Sequence, residues 1–170
     1  WEHIHYVYQN IYSLFLHAMN QEPRTILYHQ HCMELLGKRR NELMEAIDAI
    51  QQGANADTKS TAGDKHETAR AMAQLDVEML SKQLGEINKS IEVLKRIPVK
   101  NTSTTVQPGS VVETSIGTFY LSVGLGNIQV NGKTIMAIST ESPMAKAIMG
   151  KKAGDTIEWR SQQMTVIAIP

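Results

Sequence analysis

The sequence predicts an α+β protein with an N-terminal antiparallel α-helical coiled-coil hairpin, followed by a small antiparallel β domain with one short helix. Two long stretches upstream of Pro98 space their apolar residues alternately by three and four, which is typical of a two-helix seam. A polar, turn-rich stretch at residues 53–63 separates them. Beyond Pro98 the pattern changes to short alternating runs punctuated by glycines, which indicates strands and turns.

The seam positions define the two helices and their relation. In the first run they are Met33, Leu36, Arg40, Leu43, Ile47 and Ile50. In the second run they are Ala73, Val77, Leu80, Leu84, Ile87, Ile91 and Leu94. Because a turn joins the two runs, we expect them to fold back on each other as an antiparallel hairpin.

The hairpin is predicted to span residues 19–97, with an acidic tip near 57–67. Its first helix begins near Glu22-Pro23, since proline suits a first helical turn, and ends near Gln52, where Gly53 supplies a stop. The second helix runs from about Asp64 to Ile97, and some 30 residues make a rod of about 45 Å.

Residues 1–18 contain five of the nine aromatic residues of the chain and no Lys or Arg, so the charged start of a secretory signal is missing. We interpret them as an N-terminal extension, with Met19 as the natural start. The alternative is an additional amphipathic helix.

The C-terminal part is predicted to comprise a linker at 98–108 and a domain at 109–170. Asn131-Gly132 follows an alternating run and indicates a tight hairpin. Ser142-Pro143 supplies a cap and a first-turn proline for a short helix that Gly150 ends. Strands at 156–159 and 164–169 close the chain.

Composition excludes several classes of protein. Lys plus Arg equals Asp plus Glu at 17 each among 170 residues, so the summed charge gives no reason to expect binding to free nucleic acid or to a membrane surface. The single cysteine, Cys32, excludes an intrachain disulfide and fits a reducing compartment. No apolar run approaches the roughly 20 residues of a membrane-spanning helix. We therefore expect a soluble, cytoplasmic protein.

Two motifs carry a family resemblance that covers roughly residues 20–170. The stretch from Gly63 through Asp64 and Glu67 to Ala69 resembles the tip motif of the Gre transcript-cleavage factors of the GreA/GreB type. The stretches 138–143, 147–152 and 154–155 resemble the C-terminal signature of the same family. The second resemblance is the more specific, because Asp-x-x-Glu is common.

The resemblance implies an FKBP-like C-terminal domain that docks on bacterial RNA polymerase at the rim of its secondary channel. It implies that the hairpin enters that channel and that Asp64 and Glu67 are the catalytic tip carboxylates. They would hold Mg²⁺ jointly with the polymerase near the 3′ end of the nascent RNA, and no cofactor is expected on the protein alone. The protein would be a monomeric accessory factor rather than an enzyme. The polymerase-binding residues implied are Ser142, Pro143, Gly150, Lys151, Lys152, Gly154 and Asp155.

The tip also departs from the family pattern, because Lys65 and His66 stand between the two carboxylates. Both can neutralise charge there, which leaves open a regulator that occupies the channel without promoting cleavage. Asp64 and Glu67 also form a good helix-capping box, a structural role compatible with a catalytic one. Asp57 is interpreted as a turn residue or a third tip carboxylate.

Other polar residues have structural interpretations. His66 and Arg70 extrapolate onto the seam, where the arginine would extend along the surface or pair with a carboxylate. His29, His31 and Cys32 diverge around one helix, which argues against a metal or nucleophile site. The run Lys38-Arg39-Arg40 fits a solvated helix face.

Two other classes of function remain as alternatives. An FKBP-like fold raises prolyl isomerase or chaperone activity, but such a pocket needs an aromatic lining. The C-terminal part offers Phe119, Tyr120 and Trp159, and neighbouring strand residues 119 and 120 point to opposite faces. The other alternative is a dimerising coiled coil, which charged seam positions disfavour.

Overall fold

The structure, a computed structural model, describes residues 24–56, 63–99 and 103–170, with only the backbone described at 55–56 and 63–66. The interpreted extension at 1–18, the proposed start Met19 and the loop residue Asp57 lie outside the described residues. The side chains of Asp64, Lys65 and His66 lie outside them as well.

Two long helices, α1 (Arg24–Ala56) and α2 (Gly63–Arg96), pack together as predicted. The start of α2 lies within one residue of the predicted position. The predicted stop at Gly53 is wrong, because α1 continues through it to Ala56. A glycine inside a helix costs only about 1 kcal/mol relative to alanine, and the alanines that follow it are strong helix formers.

Burial along the helices matches the predicted seam. All seven predicted seam residues of α2 are buried or half-buried, whereas most polar residues around them are exposed, and Leu94 is fully buried. In α1, Leu36 is buried and Leu43 is half-buried, whereas Arg40 is exposed. Arg70 of α2 is exposed too, in agreement with the expectation that its side chain extends along the surface. Desolvating a guanidinium group costs more than packing its alkyl stem returns, which keeps it in water.

The C-terminal part forms a six-stranded sheet with one short helix, α3 (Pro143–Ile148), which confirms the α+β class. The strands are β1 (Val111–Thr114), β2 (Gly117–Ser122), β3 (Gly126–Val130), β4 (Lys133–Ser139), β5 (Thr156–Trp159) and β6 (Gln162–Ala168). Their order across the sheet is β3-β4-β2-β1-β6-β5.

The sheet is mixed, which corrects the prediction of a purely antiparallel one. Strands β2 and β4 are parallel, with Phe119 opposite Met136, and the other four pairings are antiparallel. The cause is strand order: β4 lies between β2 and β3, and two chain reversals give it the direction of β2. Alternation of apolar residues along the sequence indicates where the strands are, but it does not show which strands are neighbours in the sheet.

The two tight hairpins have the same backbone geometry and different sequences. Asn131 (φ 50°) and Gly132 (φ 74°) join β3 to β4, which confirms the predicted turn. Arg160 (φ 49°) and Ser161 (φ 64°) join β5 to β6 without a glycine. The second turn therefore carries no sequence signal, and β6 begins two residues before its predicted start.

One core lies on the α3 side of the sheet. Its fully buried members include Leu121 from β2, Ile148 from α3 and Val166 from β6. Val106 also belongs to this core. Its backbone N–H donates a hydrogen bond to the carbonyl oxygen of Lys151, and its carbonyl oxygen accepts one from the N–H of Gly150, each at 2.8 Å. Packing of the sheet domain therefore reaches into the segment predicted as a linker.

Two compact units are distinguished within the chain, one at residues 31–97 and one that combines the sheet domain with the beginning of α1. In the second unit, the ring of Tyr28 meets the ring of Tyr120 edge-on with centroids 6.2 Å apart. Arg24 forms an ion pair with Glu113 on β1. The first two turns of α1 thus complete the sheet unit, an arrangement that the predicted boundaries do not include.

Candidate functional site

The tip motif lies in the first turn of α2. The helix begins at Gly63, Asp64 follows directly, and Glu67 stands three residues further along. The carboxylate of Glu67 is on an exposed side chain. The amino end of a helix carries a partial positive charge that stabilises nearby carboxylates. The structure thus brings the two predicted residues into one helical turn, and the capping-box contact itself lies outside the described side chains.

Metal binding at the tip stays a prediction. Within the described part of the chain, no three His, Cys, Asp or Glu side chains group closely enough to hold an ion. Two carboxylates are an incomplete but chemically suitable donor set for Mg²⁺, which prefers oxygen ligands and is often held jointly with phosphate groups.

The C-terminal signature begins with a capped helix. The Oγ of Ser142 accepts a hydrogen bond from the backbone N–H of Ala145 at 3.2 Å, and Pro143 occupies the first turn. Ser142 is half-buried, whereas Pro143 is exposed. The predicted cap is confirmed, and the serine hydroxyl is engaged within the domain.

The rest of the signature forms the turns between α3 and β5. Gly150 (φ 75°) and Gly154 (φ 92°) adopt left-handed backbone conformations that side chains rarely tolerate. The Oδ2 of Asp155 accepts a hydrogen bond from the backbone N–H of Lys152 at 2.8 Å. Glycine and aspartate are therefore explained at these positions by the shape of the loop.

The lysines of the signature are its positively charged side chains. Lys152 is exposed and Lys151 is half-buried. Nearby on α3, the Nζ of Lys146 lies 3.2 Å from a carboxylate oxygen of Glu141. Of the seven residues predicted to bind polymerase, four shape the helix cap and the loop, two present charge, and Pro143 is exposed at the start of α3. Their contact with a partner stays a prediction.

The sequence analysis missed a polar and aromatic cluster on the opposite face of the sheet. The Nδ1 of His29 lies 3.2 Å from the hydroxyl of Tyr120. Burial lowers the pKa of His29 below its ordinary value. Burial also raises the pKa of Tyr28, an effect that the positive charge of Arg24 opposes. The spacing of Arg24 and Tyr28 by four residues places them on one helix face, but nothing in the sequence names their partners.

The three residues considered together for a metal or nucleophile site have different surroundings. His29 contacts Tyr120, whereas the Nδ1 of His31 lies 4.0 Å from a carboxylate oxygen of Glu34. Cys32 is fully buried. These different surroundings do not support a shared metal or nucleophile site.

The aromatic residues of the sheet do not line one pocket either. Phe119 lies in the core on the α3 side, whereas Tyr120 contacts Tyr28 on the other face, as predicted from their adjacent positions. Trp159 is half-buried on β5, with the guanidinium of Arg160 at 5.6 Å from its ring. An aromatic isomerase pocket is therefore not formed by these three residues.

Comparison with known proteins adds a family to this geometry. Residues 123–169 match the family described as "Transcription elongation factor, GreA/GreB, C-term". The matched segment contains strands β3 to β6 and the helix α3. The resemblance to the GreA/GreB family predicted from the motifs is supported over this C-terminal segment.

The matched range does not include the helical hairpin. The match begins at residue 123, which leaves the tip motif outside it. None of the curated proteins compared with the chain matches it. Across the described residues, no helix combines the length and apolar character needed to cross a membrane.

Proposed function

We propose that this protein binds bacterial RNA polymerase at its secondary channel and stimulates cleavage of backtracked RNA. The observation that carries the proposal is the position of Asp64 and Glu67 in the first turn of α2. This helix has 34 residues, a length of about 50 Å. The match to the GreA/GreB C-terminal domain supports the choice of partner.

The tip would contribute oxygen ligands rather than a complete catalytic centre. Glu67 is exposed and so can approach a second macromolecule without refolding. In the polymerase complex, Mg²⁺ would polarise the scissile phosphate and activate water. Asp64 and Glu67 would help to hold that ion and orient the water, and the polymerase would remain the catalyst.

The C-terminal domain would supply the docking surface. Lys151 and Lys152 present positive charge, and Pro143 is exposed in the first turn of α3. Ser142, Gly150, Gly154 and Asp155 would act indirectly by fixing the loop that carries these lysines. We propose that the factor acts as a monomer in the cytoplasm.

The test is RNA cleavage in a purified, stalled and backtracked elongation complex. We expect Mg²⁺-dependent shortening of the RNA 3′ end with the unmodified protein and its loss in the double variant Asp64→Asn, Glu67→Gln. A matched control is Asp76→Asn, which removes an exposed carboxylate from the same helix nine residues beyond Glu67. Cleavage that survives the double substitution would refute the role of the tip.

A second candidate is a factor that occupies the channel without promoting cleavage. It is favoured by the location of both carboxylates at a helix amino end, where they stabilise α2 whatever the partner. The intervening Lys65 and His66 would also compete with a metal ion for the carboxylate oxygens. Polymerase binding without RNA shortening, together with inhibition of a cleavage-competent factor, would establish this function.

A further inference from the structure

The two long helices contain glycines that packing does not require. Gly37 lies within α1 and Gly85 lies within α2, and both helices run through their glycine without a break. In the described part of the chain, a Cβ atom added at either position would meet nothing within 4 Å beyond the local helix backbone. Each glycine nevertheless weakens its helix relative to alanine, because it gains more backbone freedom in the unfolded chain.

The two glycines lie at nearly the same level of the hairpin. Gly37 is 19 residues before the end of α1, and Gly85 is 22 residues after the start of α2. In an antiparallel hairpin whose helices meet at the tip, this difference of three residues is about 4.5 Å along the axis. Both helices are therefore weakened within one helical turn of the same level.

A serine adds a second weakness to α2 at this level. The Oγ of Ser90 donates a hydrogen bond to the carbonyl oxygen of Glu86, the residue directly after Gly85, at 3.0 Å. In a regular helix this oxygen accepts the backbone N–H of Ser90 itself. A serine hydroxyl that bonds the carbonyl four residues earlier slightly destabilises a helix and often bends it. Sharp bends in helices occur mostly at such glycine and serine positions and at prolines.

Burial along α1 changes at Gly37. Cys32 and Leu36, on the side before it, are buried. From Gly37 to Ala54 every residue is half-buried or exposed, and Arg40 is exposed although it stands at the next seam position. Because local opening costs less where few apolar side chains are buried, the hairpin is held less firmly beyond Gly37 than before it.

We propose that Gly37 and Gly85 form a hinge at which the distal arm of the hairpin bends. The distal arm comprises α1 from residue 38 onward and α2 up to residue 84. A bend requires the helical hydrogen bonds around the two glycines to open, and no side-chain packing at either glycine has to be broken. Asp64 lies 21 residues from Gly85, or about 32 Å, so a bend of about 10° moves the tip by about 5–6 Å. The hinge thus changes the direction of the tip whatever its partner.

The experiment is amide hydrogen exchange of the full-length chain, followed residue by residue by NMR. The helical bonds that span Gly37 are donated by the N–H groups of residues 38–41, and those that span Gly85 by residues 86–89. We expect both groups to exchange at least about tenfold faster, after correction for intrinsic rates, than the amides of residues 46–50 and 77–80 nearer the tip.

Substitutions test whether one motion opens both places. Gly37→Ala should slow exchange of residues 38–41 by about fivefold, since alanine is the best helix former. Because a single bend opens both helices, the same variant should also slow exchange of residues 86–89, on the other helix. Gly85→Ala should have the reciprocal effect, and the double variant should slow both groups by about twentyfold.

The matched control is Gly53→Ala. Gly53 lies on the same helix as Gly37, and an added Cβ there also meets nothing within 4 Å. It is 16 residues beyond Gly37, far from the level of the hinge. Its substitution should slow exchange in the last turns of α1 and leave residues 38–41 and 86–89 within about twofold of their unmodified rates.

Three results would overturn the hinge. Protection that falls steadily from the base of the hairpin to its tip, without a minimum at the two glycines, would indicate simple fraying. Unchanged exchange of residues 86–89 in Gly37→Ala would show two independent weak points. Equal slowing of residues 38–41 by Gly53→Ala and Gly37→Ala would indicate general helix stabilisation.

Discussion

Substitutions at Ser142 can distinguish a structural role of this signature residue from a role in binding the polymerase. Its hydroxyl accepts a hydrogen bond from the backbone N–H of Ala145 at 3.2 Å and caps the six-residue helix α3. Replacing a serine cap by alanine typically costs about 1 kcal/mol, and aspartate preserves the cap. We therefore expect Ser142→Ala to destabilise the sheet domain by about 1 kcal/mol and Ser142→Asp to leave its stability nearly unchanged.

The assay is thermal unfolding of the full chain followed by tryptophan fluorescence, paired with a binding titration against purified bacterial RNA polymerase. A loss of about 1 kcal/mol lowers the Tm of a domain of this size by roughly 4–8 °C. If Ser142 acts through the cap, Ser142→Asp should retain both the Tm and polymerase binding. Equal losses of Tm in the two variants would refute the capping argument. Retained Tm with lost binding in Ser142→Asp would instead indicate that the serine itself contacts the partner.

Three further predictions concern the sheet unit. Burial lowers the pKa of His29 from its ordinary value of 6.5, so below that pH the unfolded chain binds a proton more readily than the folded chain does. The free energy of unfolding should therefore be at its full value above about pH 6.5 and decline as the pH falls. His29→Gln should flatten this decline in denaturant titrations at pH 7.5 and 5.5. Ser161→Gly should stabilise the β5–β6 turn by about 0.5–1 kcal/mol, since Ser161 has φ 64°, and a lower denaturant midpoint would contradict this. Ser122 is only 1% exposed, and its Oγ has no hydrogen-bond partner among the described residues. Ser122→Ala should therefore raise the free energy of unfolding by up to about 1 kcal/mol. A clear decrease of that free energy in the same titration would point to an unrecognised partner.

The helical hairpin was the most predictable part of the fold. The seam of α2 could be read position by position from Ala73 to Leu94, because a helix that buries one stripe must repeat its apolar residues every three or four positions. Gly53 was misjudged because glycine ends a helix only where other signals agree. The arginines at positions 40 and 70 are exposed, because desolvating their charge would cost more than packing their alkyl stems returns.

The candidate site was predictable in part. The sequence placed Asp64 and Glu67 at the start of a helix, where the structure has them, and identified Ser142 as a cap. It could not separate residues that shape the C-terminal loop from residues on its surface. That distinction depends on left-handed backbone angles at Gly150 and Gly154, and on the bond from the backbone of Lys152 to Asp155.

A three- and four-residue spacing can describe two different faces of one helix. Met72, Leu75 and Met79 share this spacing on α2, and all three are more than half exposed. The seam predicted at Ala73, Val77 and Leu80 is the less exposed face. The longer apolar run, which continues to Leu94, therefore indicated the buried face.

The sequence by itself determined the two long helices, most of the strand positions and the Asn131-Gly132 turn, because each depends on periodicity or on the backbone freedom of nearby residues. Tertiary structure alone decided that β4 lies beside β2, that His29 meets Tyr120, and that the first turns of α1 pack on the sheet. These contacts join residues up to 91 positions apart. They are fixed by the joint burial of surfaces that are distant along the chain, which no local pattern encodes.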